Sequence, residues 1–153
     1  ASLNTPGPEV HSAGQFVTAF LGIFDTASGT LVCANAGHNP PVLLPSAWPG
    51  DAQLRNTGLR FGAMGGACEA RRIDVAPGDA LVLYTGGITE AERASREPFE
   101  LDCLIATVWH GLGGADSALR AAILNAAEFT HGAPQGDDMA LMVLARGQAP
   151  PRP

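Results

Sequence analysis

The run ALVLYT, Ala80 to Thr85, is uncharged along its whole length, follows the turn Ala76-Pro77-Gly78-Asp79, and stops at Gly86-Gly87. A strand-length apolar run without alternation has no solvent face, so it must be covered on both sides. Such a run suits a central strand of a sheet. The stop on two glycines, followed by the polar ITEAE, reads as a tight turn. Glu90 fits the first-turn acid of a short helix at this point.

The rest of the first half supplies the partners. Gln15 to Asp25 (QFVTAFLGIFD) is rich in aromatic and β-branched residues, and Gly29 turns it into a second strand, Thr30 to Ala36. Pro40-Pro41 breaks the ladder before a short strand at Val42 to Leu44, and Pro45 to Asp51, with Trp48, reads as a loop. Arg71 to Val75 alternates as a half-buried strand.

The period then changes from two to nearly four. Glu100 to His110 places Leu101, Leu104, Ile105 and Val108 on one helical face, with Gly111 as C-cap. Asp116 or Ser117 is expected to cap a second helix to about Phe129, packed through Leu119, Ile123, Ala127 and neighbouring alanines. Met139 to Ala145 returns as a last apolar strand. The pattern predicts an α+β fold, with strands covered by helices.

Composition narrows the function. The nine basic residues, all arginine, face fifteen acids for a net charge of −6, without a basic cluster. Nucleic acid and anionic membrane partners need a concentrated positive patch and are not expected. Cys33, Cys68 and Cys103 are odd in number and widely spaced, and read as reduced core thiols of a cytoplasmic protein. At 153 residues and 46% apolar content, one domain can bury its own core. Residues 1–14 read as the remnant of a preceding helix or loop, and the Pro-rich residues 147–153 as a disordered tail.

Three stretches can carry chemistry. Gln135-Gly136-Asp137-Asp138 sits at the mouth of the last strand. Adjacent carboxylates repel, and solvent, a proton or a cation must relieve them. Residue chemistry leaves two readings open: a solvated turn, or a site for a hard divalent ion such as Mg2+ or Mn2+. His38, in AGHNPP, could serve as ligand or general acid, but a ring held by a backbone carbonyl to fix its loop is the favoured role. Thr85-Gly86-Gly87 is the third. Gly62 to Gly66 is glycine-rich but lacks the frame of a nucleotide loop, and there is no G-x-S-x-G nucleophile elbow.

In order, FVTAFLGIFD, ANAGHNPP, APGDALVLYT followed by GITEA, and GDDMALMVL resemble the SpoIIE/RsbU-type serine phosphatases of bacterial stress and sporulation control. These are metal-dependent protein phosphatases of type 2C. The resemblance runs from about Gln15 to Arg146. It implies two stacked antiparallel sheets flanked by helices, a pair of Mn2+ or Mg2+ ions between the sheet edges, and a metal-activated water that attacks phosphoserine directly. The implied substrate is a phosphoprotein such as an anti-sigma-factor antagonist.

Two departures accompany the resemblance. The family's first metal motif, GD-x-x-GHG, has no counterpart in the chain, so the N-terminal part of the domain would precede Ala1. The family's Tyr-Thr-Asp-Gly reads Tyr84-Thr85-Gly86-Gly87, which leaves Gly86 as a vacant ligand position. The site residues carried over are Asp138 as ligand with Asp137 beside it, and Gly87, Thr85, Gly136 and His38 nearby. Loss of one carboxylate from a two-metal site is expected to weaken metal binding by on the order of 4 kcal/mol, about a thousandfold. Activity is therefore expected to be impaired or absent, with a partner-binding pseudophosphatase as the alternative. Missing early strands would also leave an open edge or bare apolar face, which predicts a homodimer.

Overall fold

A computed structural model of the chain describes residues 17–46, 52–54, 68–111 and 115–147. The expectations for residues 1–14, Trp48, the Gly62–Gly66 loop and the end of the tail lie outside them. The elements are β1 (Ala19–Asp25), β2 (Thr30–Ala36), β3 (Val42–Leu44), β4 (Ala52–Gln53), β5 (Arg71–Asp74), β6 (Ala80–Tyr84), α1 (Gly86–Thr89), α2 (Glu100–His110), α3 (Ala115–Thr130) and β7 (Leu141–Ala145).

They form two antiparallel sheets, ordered β1-β2-β5 and β4-β3-β6-β7. The hairpin at Gly29 pairs Asp25 with Thr30 and Ala19 with Ala36. Gly29 has φ +79°, a conformation open to glycine, and the Asp25 carboxylate accepts from Ala27 N–H at 2.9 Å to close the turn.

Two cores follow from the period-two geometry. Leu31, Cys33, Leu43, Val75 and Leu81 are buried together, joined by Phe20 and Phe24, and fill the space between the sheets. The opposite face of the four-stranded sheet, through Val42, Leu44, Val82 and Tyr84, packs on Leu104, Ile105 and Val108 of α2 and on Ala118, Ala122 and Ala126 of α3. The central strand β6 is thus covered on both sides, by a sheet and by helices. The resulting architecture is that of stacked sheets with a helical layer. The buried Asp79 holds the β5–β6 turn to the strand edge, accepting from Ser46 N–H at 2.8 Å and Ala76 N–H at 2.9 Å.

Several expectations are corrected. On α3, Ala118, Ala122 and Ala126 are buried, whereas Ile123 is 55% exposed and Ala127 is also exposed. Small side chains win the interface because α2 and α3 meet closely: a Cβ on Gly111 would lie 2.8 Å from the Ala118 Cα. Asp116 lies inside the first turn of α3 rather than capping it, paired with Arg120 at 2.9 Å. Of the three thiols only Cys33 is buried; Cys68 is half-buried and Cys103 exposed, being on the outer side of α2. β7 begins at Leu141 rather than Met139, because the Thr85 hydroxyl takes the Ala140 N–H at 2.8 Å. Gly86-Gly87 opens a short helix instead of a tight turn, and Glu90 is its C-cap rather than its first-turn acid.

Candidate metal-site region at the end of the central strand

The site grows out of one strand register. β7 runs antiparallel to β6, with Tyr84 opposite Leu141. The residues leading into β7 must therefore lie beside the residues leaving β6, which brings 135–140 against 85–87 across some fifty positions of sequence. Thr85 fastens the two: its N–H donates to Ala140 O at 3.0 Å, and its hydroxyl donates to Asp138 O at 2.9 Å. Its backbone is extended, φ −98° and ψ 161°, before α1 starts.

The two glycines play different parts. A Cβ on Gly87 would stand 2.4 Å from Asp138 O and 2.8 Å from Asp137 O, so backbone meets backbone there and only hydrogen fits. Gly86 meets no such wall: the nearest atoms to a Cβ there belong to the Glu90 carboxylate, with Oε1 at 2.9 Å. Neither glycine is among the residues with positive φ. Close packing explains Gly87, and backbone conformation explains neither.

Asp137 and Asp138 are both exposed. Asp137 Oδ1 accepts from Asp138 N–H at 2.7 Å, and Asp137 O accepts from the Gln135 amide at 2.7 Å, so the loop is held by its own polar groups. Gly87, Gly136, Asp137, Glu90 and Glu92 line a cavity of about 500 Å3 between Pro98 and Pro134. Among the described residues, three carboxylates and no basic side chain line it. A phosphate dianion entering without a cation would meet like charge on every polar side.

His38 stands in the β2–β3 connection. Its Nδ1 lies 2.8 Å from Asn39 O, and its N–H donates to Asn35 Oδ1 at 2.9 Å. Asn35, 1% exposed, also donates to His38 O at 3.1 Å and Leu54 O at 3.4 Å. The bonds of the ANAGHNPP segment are thus loop-fixing bonds, and His38 is not among the residues lining the carboxylate cavity. Tyr84, the last residue of β6, faces the helical core, and burial pushes its hydroxyl pKa up.

A divalent ion needs several oxygen donors converging on one point. Among the described residues no group of three or more His, Cys, Asp and Glu side chains is placed to hold one. Asp137 and Asp138 are the carboxylates that the register brings to the strand end, and residue 86 offers them no partner. Among the described residues, the donor set does not fit a two-metal centre. Sequence reasoning passed over Glu90 as a member of this region. The signal for it was its place one helical turn after Gly86, on the same face.

The model of the family described as Stage II sporulation protein E matches residues 3–147. Protein IcfG of Synechocystis sp. is 34% identical over 97 residues, covering 61% of this chain and 15% of that protein. Among solved structures, the SiaA-PP2C domain of Pseudomonas aeruginosa is similar with a TM-score of 0.73 at 18% identity, over 84% of this chain and 51% of that one. The RsbU and RsbW domains of a Mycobacterium tuberculosis protein give 0.67 at 24% identity, over 87% and 38%. The PP2C phosphatase domain of SpoIIE from Bacillus subtilis, with a fragment of its regulatory domain, gives 0.61 at 19%, over 82% and 37%. The chain therefore spans 15% of the curated relative and at most 51% of these solved chains. The match of the family model over residues 3–147, on a two-sheet fold similar to that of type 2C phosphatase domains, makes this chain a member of the SpoIIE family.

Proposed function

We propose that the chain is part of a metal-dependent serine/threonine phosphoprotein phosphatase domain of the sigma-factor regulatory type, and that Gly86 leaves its own activity weak or absent. The observation behind this reading is the register of β6 against β7, which brings the end of β6 beside the Asp137-Asp138 loop: Gly87 packs on the backbone of that loop, and its neighbour Gly86 carries no carboxylate. Mn2+ or Mg2+ in such a domain supplies an activated water and neutralises phosphate charge. Asp138 and Asp137 are the residues to hold it, and alone they hold it poorly. The protein substrate class is a phosphorylated regulatory protein such as an anti-sigma-factor antagonist, in the cytoplasm; no helix among the described residues is long and apolar enough to cross a membrane.

An aryl phosphate assay with Mn2+ tests this. Turnover at the level of the blank is expected from folded protein, and robust metal-dependent turnover would overturn the claim of impairment. The acidic cavity lined by Glu90, Glu92 and Asp137 favours a second reading, a pseudophosphatase that binds a partner without hydrolysing it. Calorimetry with Mn2+ separates the two, because tight binding of two ions sinks the second. Self-association as a homodimer belongs to the same proposal: Leu21 and Ile23, on the outer face of the three-stranded sheet, are 52% and 69% exposed.

A further inference from the structure

The two glycines at the end of β6 differ in what stands where a side chain would go. At Gly87 it is the backbone of Asp137 and Asp138, which cannot yield. At Gly86 it is the end of a flexible side chain: Glu90 Oε1 lies 2.9 Å, Cδ 3.3 Å and Oε2 3.6 Å from the Cβ position. Glu90 reaches this place by local geometry. It follows α1 by one residue, its N–H donates to Gly86 O at 2.8 Å, and its side chain turns back over the turn that precedes it.

We propose that Gly86 and Glu90 are a matched pair: the Glu90 carboxylate occupies, from one helical turn downstream, the space of the side chain that residue 86 lacks. The site keeps its negative charge but changes how that charge is held. An aspartate at 86 would be rooted at a strand end with two side-chain torsions, next to Thr85 bonded into the sheet. Glu90 is exposed, has three torsions, and sits where the helix has already ended. Its carboxylate is not fixed against the Asp137-Asp138 loop as a metal ligand must be. This accounts for the misfit between the donor set and a two-metal centre, a consequence that rests on the phosphatase reading above. The pairing itself rests on geometry alone. It further implies that restoring an aspartate at 86 brings two carboxylates to one place, and that Glu90 must leave.

A double-mutant cycle tests the pairing, with melting temperatures of the full chain in chelator at low salt for wild type, Gly86→Asp, Glu90→Ala and the double variant. Gly86→Asp is expected to lower the melting temperature by about 1–2 °C. Adding Glu90→Ala should recover at least half of that loss. Refolding of an otherwise unfolded Gly86→Asp by Glu90→Ala would support the pair equally. A loss that is the same with and without Glu90, including failure of both variants to fold, or no loss at all, overturns it. The metal consequence is read separately by calorimetry, where the double variant is expected to bind Mn2+ at least tenfold more tightly than wild type. If that gain is missing while the stability coupling holds, the metal reading fails and the pair stands.

Discussion

At the scale of single residues, the strand end shows how one residue type can answer to two causes. Gly87 is a packing glycine, and Gly87→Ala would force a methyl group into the Asp138 carbonyl. It is expected to cost about 1–3 kcal/mol and to lower the melting temperature by about 2–4 °C per kcal/mol, measured by thermal unfolding. Asp79→Ala is a comparable case without a glycine: it strands the N–H groups of Ser46 and Ala76 and is expected to cost about 1–3 kcal/mol in urea unfolding. A Gly86 change alone should be milder than either, since the atom it meets can swing into solvent. The identity of Thr85, Gly86, Asp137 and Asp138 as a group was legible in the order of motifs. The separate causes at 86 and 87 were not, because one depends on a backbone that approaches from fifty residues away and the other on where the Glu90 side chain turns at a helix end.

At the scale of elements, periodicity located the strands and helices well and misassigned one face. α2 buries the residues its spacing requires, Leu104, Ile105 and Val108. α3 does not follow its larger side chains, because Ala118, Ala122 and Ala126 allow a close approach that leucine and isoleucine would prevent. Ala122→Leu is therefore expected to destabilise by about 1–3 kcal/mol despite raising local hydrophobicity, while Ile123→Gln changes stability by less than about 0.5 kcal/mol; denaturant midpoints decide both. The thiols give a check on the layers. Burial pushes the Cys33 thiol pKa up, with a smaller opposing pull from Arg71, so it stays protonated above the ordinary thiol range. Since the folded pKa exceeds the unfolded one, the associated stability is present below the unfolded pKa and is lost as pH rises through the folded one. In native protein near pH 8, Cys103 should react with a thiol reagent and Cys33 should wait for unfolding.

At the scale of the whole molecule, three layers are visible: the three-stranded sheet, the four-stranded sheet, and α2 with α3. The outer face of the first sheet carries Leu21 and Ile23 in the open. Light scattering is expected to show self-association of the chain, and Leu21→Lys with Ile23→Lys should reduce it without lowering the melting temperature; a clean wild-type monomer would count against this.

What the sequence determined by itself is local and periodic: the sheet-buried run Ala80–Tyr84, the hairpin about Gly29, the helix Glu100–His110, and the ordered motifs that mark the family. These are legible because each is set by neighbours within a few residues, or by a pattern that repeats. Tertiary structure alone decided that Gly87 touches the Asp137-Asp138 backbone and that α3 packs through its alanines. Those outcomes depend on the separation of two backbones, a quantity that exists only once β7 has closed on β6 and α3 has closed on α2.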